Sequence, residues 1–187
     1  MPTADEHLKD AEQRMHGAND ALQRELDSVR TGRARPGLVE HILVEYYGTE
    51  TPLNQLASVS VPEARVLAIQ PWDKSAIASV ERAILKSDIG ITPNNDGSII
   101  RLTLPLLTED RRKDLVRSVR KRVEDARVAV RNVRRDVQDK IRTQEKNKEL
   151  SQDDSRKFQD QLQKITDSNI ATIDKTGEAK ETELMEV

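Results

Sequence analysis

The chain has 187 residues, of which 34% are charged and only 2% aromatic, a composition that favours long solvated helices over a thick globular core. It has no cysteine, which excludes disulfides and thiol chemistry. No apolar run approaches the ~20 residues of a membrane span, and the acidic N-terminus lacks the basic-then-apolar form of a signal peptide. We therefore expect a soluble cytoplasmic protein.

The net charge of −2 conceals a strong asymmetry along the chain. Residues 105–150 carry fifteen Lys or Arg against nine Asp or Glu, a net of +6. Residues 151–187 carry five against nine, a net of −4, and residues 1–30 carry four against seven, a net of −3. The positive charge therefore belongs to one segment, which either pairs with two acidic helices or faces an anionic partner.

The first predicted element is a helix from Thr3 to about Val29. Its apolar residues recur at spacings of three and four, as on one side of a helix: Leu8, Ala11, Met15, Ala18, Leu22, Leu26 and Val29. So narrow an apolar stripe requires other helices as partners.

The pattern changes at residues 30–37, where two glycines and a proline interrupt the helical period. Strands are predicted at 40–47, 59–61 and 66–70, followed by a short helix that carries Ile77, Val80 and Ile84. Residues 89–91 and 98–104 are predicted to form a hairpin, because an Asp-Gly turn signal lies between them. Residues 31–104 thus form a small β/α/β domain.

A second helix runs from Thr108 to about Lys148 and has two distinct faces. One is apolar and comprises Leu115, Val119, Val123, Ala126, Val130, Val133, Val137 and Ile141. The other is basic and comprises Lys113, Arg117, Arg120, Arg127, Arg131, Arg134 and Arg142. A third helix starts at Ser151, with Phe158, Leu162, Ile165, Ile170 and Ile173 as its apolar face, and Gly177 weakens it by ~1 kcal/mol relative to Ala.

The order of elements predicts an α+β protein: an elongated antiparallel three-helix bundle with an inserted small β/α/β domain, together L-shaped. The bundle takes residues 1–30 and 105–187, and the insert takes residues 31–104. Because the insert is attached by two adjacent connections, we expect a hinge there. The hinge residues are Thr31, Gly32, Arg33, Ala34, Leu104 and Pro105.

The basic face predicts a site for a phosphate-rich polymer, since the planar guanidinium of arginine matches phosphate oxygens well. Folded RNA fits better than splayed single strands, because the chain has only four aromatic residues for base stacking. The predicted RNA-binding residues are Arg30, Arg33, Arg127, Arg131, Arg134 and Arg135. The structural alternative is ion pairing with acids of the other helices, and Glu124 and Asp136 interrupt the basic face.

The sequence gives no indication of an enzyme. It has no phosphate-binding glycine loop, no dinucleotide-binding fingerprint and no zinc-protease motif. His7, His16 and His41 have no metal-ligand spacing, so no metal and no cofactor are expected.

Several motifs follow one another along the whole chain: Val29-Arg30-Thr31-Gly32-Arg33-Ala34, Val44-Glu45-Tyr46-Tyr47-Gly48, Ser87-Asp88-Ile89-Gly90, residues 107–113 and residues 128–135. In this order they resemble the bacterial ribosome recycling factor family. The resemblance implies a monomer that binds large-subunit ribosomal RNA after peptide release. It further implies that elongation factor G, using GTP, then acts on the small domain so that the ribosomal subunits separate. Arg30, Arg33, Arg131 and Arg134 match family positions that matter for ribosome binding.

Three other interpretations remain open from the residues alone. An RNA chaperone unrelated to recycling would bind free RNA hairpins as tightly as ribosomes. A scaffold that recruits another coiled coil would form a stable oligomer. An enzyme is the weakest alternative.

Overall fold

A computed structural model describes residues 2–186 and divides them into two compact units. The first comprises residues 2–29 and 109–186, and the second comprises residues 30–108. The division predicted from the sequence differs by a few residues, because residue 30 and residues 105–108 group with the second unit. The L shape concerns the placement of one unit against the other and stays a prediction.

Three long helices form the first unit: α1 (Ala4–Asp27), α3 (Glu109–Lys146) and α4 (Gln152–Met185). Each helix packs on the other two. The Arg14–Asp136 ion pair and the Arg122–Glu25 hydrogen bond show that α1 and α3 are antiparallel. The predicted α+β class and three-helix bundle are thus confirmed.

Most of the apolar residues of these helices are buried where the spacing predicted. The predicted positions that are only half-buried are Ala18, Val29, Leu115, Phe158, Ile165 and Ile170. On α3 the fully or nearly buried residues are Val119, Val123, Ala126, Val130, Val133, Val137 and Ile141, and on α1 they include Leu8, Ala11, Met15, Leu22 and Leu26. The apolar face of α4 is less regular, since Ser155, Thr166, Gly177 and Lys180 are also buried there. Small side chains at the first three of these positions let α4 lie close to its neighbours.

Capping residues set the helix ends. Thr3 accepts a hydrogen bond from the Glu6 backbone N–H at 3.3 Å, and the Glu6 carboxylate accepts one from the Thr3 N–H at 2.6 Å, which is a capping box. Ser151 caps α4 by accepting from the Asp154 N–H at 3.1 Å. The start of the third helix at Ser151 is therefore as predicted.

The second unit contains two small sheets and one α-helix, α2 (Ile77–Lys86). Strands β1 (Leu43–Tyr46) and β2 (Thr49–Pro52) form an antiparallel hairpin. Strands β3 (Ala57–Glu63), β4 (Val66–Pro71), β5 (Asn94–Asn95) and β6 (Ile100–Thr103) form the other sheet, in the order β3-β4-β6-β5. The core between them contains Val44, Leu53, Leu67, Ile69, Val80, Ile84, Ile100 and Leu102.

One predicted strand is wrong. Residues 89–91 are not extended in a sheet, and β6 pairs instead with Asn94 and Asn95. The turn therefore falls at residues 96–99, where the Asp96 side chain accepts hydrogen bonds from the backbone N–H groups of Ser98 and Ile99. Local β-propensity favoured a strand at Ile89 and Ile91, whereas the hydrogen bonds of the Asp96 side chain determine the register of the hairpin.

Candidate nucleic-acid interface

Helix α3 presents the predicted basic face because its buried and charged residues are centred on different sides. At about 100° per residue, Arg127, Arg131 and Arg134 lie within one sector, whose centre is about a quarter-turn from the centre of the buried valines. Packing of the valines against α1 and α4 therefore determines which way the arginines point. Contacts with other side chains then decide which guanidiniums are already neutralised.

Two arginines of the basic face are tied to α4. Arg120 donates from Nε and Nη2 to the two carboxylate oxygens of Glu181, both at 3.0 Å. Arg127 Nε donates to Asp174 Oδ1 at 2.8 Å, and its Nη2 lies 2.6 Å from the same oxygen. Hydrogen bonding to these carboxylates raises the pKa of both arginines. Arg127, a predicted RNA ligand, therefore also forms the alternative that the sequence left open, an ion pair with an acid of another helix. This ion pair connects α3 to α4.

Arg131 has a weaker attachment. Its Nη1 donates to Glu124 Oε1 at 3.1 Å, and the other Glu124 oxygen accepts from Arg127 Nη1 at the same distance. Hydrogen bonds from the two arginines lower the pKa of Glu124 below its ordinary value, so this carboxylate is ionised near neutral pH. Glu124 therefore shares its charge between the two guanidiniums.

Arg134 and Arg135 have no carboxylate partner among residues 2–186. Arg134 Nη1 donates to the neutral amide oxygen of Gln163 at 3.3 Å, and Arg135 is exposed. Their positive charges are therefore available to an anion. About two turns beyond Arg135, Arg142 is exposed and likewise has no ion pair in the described part of the chain. Of the predicted RNA ligands on α3, those without a carboxylate partner in the described part of the chain thus lie toward its C-terminal part.

Asp136, the second predicted interruption, is held by α1. It accepts from Arg14 of α1 at 2.6 Å and from Lys140 at 3.0 Å. Both hydrogen bonds lower its pKa. Of the two predicted interruptions, Glu124 is therefore the one that remains on the basic face.

The two remaining predicted RNA ligands belong to the second unit, as do the predicted hinge residues. Arg30 Nη2 donates to the Asp88 carbonyl oxygen at 3.5 Å, and Arg33 is half-buried. Thr31 and Ala34 are buried, and Gly32 has a φ of +76°, which favours glycine. These observations do not test RNA binding, which stays a prediction for both arginines.

The hinge segments are attached to the turn between β3 and β4. The Ala34 N–H donates to the Ala64 carbonyl and the Leu104 N–H donates to the Arg65 carbonyl, both at 2.8 Å. Arg65 Nη1 also donates to the Leu104 carbonyl at 3.3 Å. Ala34 and Leu104 are therefore fixed to the sheet, although the sequence places them in the hinge on equal terms with their neighbours.

Other surfaces of the second unit do not suggest chemistry. A cleft of about 610 Å³ between the β1–β2 hairpin and α2 is lined by Glu45, Glu50, Arg82 and Lys86 among others. Among residues 2–186, no group of three or more histidines or carboxylates is arranged to hold a metal ion. In the same part of the chain, no helix combines the length and apolarity needed to cross a membrane.

The particular acids of α4 that pair with Arg120 and Arg127 were not predicted from the sequence. Their signal was present, because Arg120 and Arg127 are seven residues apart, as are Asp174 and Glu181. In two antiparallel helices such equal spacings bring both pairs into register together. Finding them required the alignment of α3 with α4, which the apolar periodicity alone does not fix.

Comparisons with known proteins agree with one another. A sequence model of one family, described as "Ribosome recycling factor", matches residues 22–185. The chain is 58% identical over 182 residues to the ribosome-recycling factor of Halalkalibacterium halodurans, which covers 97% of this chain and 98% of the relative. It is 56% identical over 180 residues to that of Natranaerobius thermophilus, covering 96% and 98%.

Two solved structures are also similar. The solution structure of a ribosome recycling factor superposes with a TM-score of 0.78 at 42% identity, and all of both chains is covered. A second has a TM-score of 0.65 at 43% identity and covers 98% of this chain and 100% of the other. It is described as models for the T. thermophilus ribosome recycling factor and the E. coli elongation factor G bound to the E. coli post-termination complex.

Proposed function

The chain belongs to the ribosome recycling factor family, and from this premise we propose that it binds the ribosome after termination and promotes its separation into subunits. It does so with elongation factor G and GTP, so that a new round of translation can start. The similar structure that places such a factor and elongation factor G on a post-termination complex supports these partners. In this proposal the chain acts in the cytoplasm as a monomer, and catalysis of GTP hydrolysis belongs to elongation factor G.

The observation that carries the proposal is the basic face of α3 that α4 leaves partly unneutralised. Arg134 and Arg135 have no carboxylate partner among residues 2–186, and Arg131 shares the carboxylate of Glu124 with Arg127. A rigid helix that displays guanidiniums at one-turn intervals is suited to the phosphates of folded RNA, which we assign to the large ribosomal subunit. Arg30 and Arg33 are proposed as further contacts. Arg127 contributes less, because a phosphate would have to displace Asp174.

The experiment that tests this interface removes two cations while keeping the bundle folded. Replacing Arg131 and Arg134 by alanine weakens binding to purified ribosomes in sedimentation assays with increasing KCl. The slope of log affinity against log salt concentration becomes shallower by up to ~0.7–0.9 per lost phosphate contact. Full affinity and an unchanged slope in the folded double variant would exclude both residues from the interface.

A matched control removes the same charge from the same helix. Arg117 pairs with Asp114 at 3.5 Å and Arg120 pairs with Glu181 at 3.0 Å, so each of them has a carboxylate of its own, unlike Arg131, which shares Glu124 with Arg127. Replacing them by alanine leaves the salt slope close to that of the parent chain. A loss as large as that of the first variant would indicate that total charge matters and that no local site exists.

We further propose that the two connections to the second unit transmit force from elongation factor G. Because Ala34 and Leu104 are hydrogen-bonded to the β3–β4 turn, bending is expected at residues 30–33 and 105–108. A Gly-Ser insertion after Leu106 slackens one connection. It leaves ribosome binding intact but slows subunit splitting in the presence of elongation factor G and GTP.

The control for this insertion places the same dipeptide after Gly97, in the exposed β5–β6 turn. Splitting then proceeds at the parent rate, as followed by light scattering. A slackened connection with normal splitting would refute the mechanical role, while leaving ribosome binding as a separate conclusion.

A further inference from the structure

Glu124 lies on the basic face between two arginines and accepts hydrogen bonds from both. Its two oxygens accept from Arg127 Nη1 and Arg131 Nη1, each at 3.1 Å, and about half of its side chain is exposed. Asp136 is occupied by Arg14 and Lys140, so Glu124 is the acid of α3 that bridges two predicted phosphate ligands in the described part of the chain. A phosphate that approached Arg131 would meet this carboxylate.

The two arginines depend on Glu124 to different degrees. Arg127 is also held by Asp174, at 2.8 Å from Nε and 2.6 Å from Nη2, so it keeps a partner if Glu124 is lost. Arg131 has its ion pair, within residues 2–186, with Glu124 alone. Removal of the Glu124 charge therefore frees one guanidinium and leaves the α3–α4 connection in place.

The Glu124–Arg131 contact is poorly suited to stabilising the helix. The residues are seven apart, about 10 Å along the axis, so both side chains must extend toward each other. Such exposed pairs add little to stability because the loss of side-chain freedom offsets the attraction. The contact does have one definite effect, which is to occupy a donor that a phosphate would otherwise use.

We propose that Glu124 is an intramolecular competitor for the RNA, occupying Arg131 in the free protein and yielding it to a phosphate on binding. This inference rests on the proposed function of Arg131. Glu124 then limits affinity in two ways, since its hydrogen bond must be exchanged and its charge repels the incoming phosphate.

Replacing Glu124 by glutamine tests the proposal, because the side chain keeps its shape and loses its charge. Affinity for purified ribosomes rises about two- to fivefold, the range that corresponds to one exposed ion pair. Its dependence on KCl becomes steeper, since one more unneutralised cation takes part. Urea unfolding stays close to that of the parent chain.

The matched control is Glu109→Gln, which removes the same charge from the same helix. Glu109 pairs with Lys113 at 2.9 Å and is 15 residues away, about 22 Å along the axis and beyond the ~10 Å screening length of 0.1 M salt. Its ribosome affinity stays at the parent value. An equal gain in both variants would overturn the proposal, because it would show a general charge effect.

Arg131→Ala, alone and combined with Glu124→Gln, separates this inference from the proposed function. The competitor predicts that Glu124→Gln has a much smaller effect once Arg131 is absent, because only the repulsion between Glu124 and the phosphate is then removed. If Arg131→Ala weakens binding but Glu124→Gln does not strengthen it, the competitor is refuted and the RNA site stands. If Arg131→Ala binds like the parent chain, the competitor and the role of Arg131 in RNA binding are both refuted, whereas Arg134 and Arg135 remain candidates.

Discussion

Gly177 and Gly17 allow a direct test of how the bundle is packed. Both lie inside helices of the first unit, and alanine is the better helix former at either position. Around Gly17, apart from its chain neighbours and the backbone of its own helix, no atom lies within 4 Å of an added Cβ. At Gly177 an added Cβ would lie 2.6 Å from Val123 Cγ2 on α3. The same substitution is therefore predicted to have opposite effects.

The magnitudes follow from two competing contributions. Gly17→Ala stabilises the first unit by about 0.5–1 kcal/mol, since only helix propensity and unfolded-state entropy change. At Gly177 the same gain meets an overpacking cost of about 1–3 kcal/mol. Carbon atoms prefer a separation of about 3.5–4.0 Å, so α4 or Val123 would have to move by about 1 Å. Val123 is a β-branched helical residue with one preferred rotamer, so rotation gives little relief. We expect a net destabilisation of about 1 kcal/mol.

Urea unfolding followed by circular dichroism at about 222 nm, where the helical backbone absorbs, measures both variants. Adding Val123→Ala provides the internal check, because it removes both γ-methyl carbons that the new methyl group on α4 would contact. In that background Gly177→Ala becomes neutral or stabilising. If Gly177→Ala stabilises the parent chain as much as Gly17→Ala does, α4 does not lie as close to α3 as the structure shows, and the reasoning fails.

Two further substitutions test single contacts. The Asp96 carboxylate accepts hydrogen bonds from the backbone N–H groups of Ile99 and Ser98, which lower the pKa of Asp96 to about 2, below its value in the unfolded chain. The contribution of these hydrogen bonds to stability is therefore present above pH ~4 and is lost as the pH falls through about 2. Asp96→Asn accordingly flattens the pH dependence of unfolding between about pH 4 and 2, followed by circular dichroism in urea, and an unaltered profile would contradict this. Ser151→Ala removes the α4 cap and lowers stability by about 1 kcal/mol in thermal unfolding, whereas an unchanged melting temperature would show that the cap is redundant.

The sequence predicted much of the fold because helix burial is a local property. The valines of α3 recur at helical spacing, and burial of one fixes the side on which the others lie. Helix ends were equally local, as with Ser151, whose hydroxyl acts within one turn. The missed hairpin register shows the limit, since residues 89–91 have strong strand propensity but the turn formed around Asp96 instead.

The basic face was likewise predictable from the sequence only in part. Its existence on α3 follows from periodicity, so Arg127, Arg131 and Arg134 could be named from the sequence. The sequence could not show which of these arginines is already neutralised, because Asp174 contacts Arg127 only when α4 is aligned with α3.

The role of Gly177 in the core of the bundle also became clear only from the structure. The sequence marks it as a weak point in a helix, whereas the structure shows a close approach to Val123 that no larger residue permits without movement. The sequence by itself thus determined which helices form and which side of each is apolar or basic, because both depend on neighbours within a few residues. Only the tertiary structure decided which arginine charges are neutralised and where backbones approach, because both depend on side chains brought together from different helices.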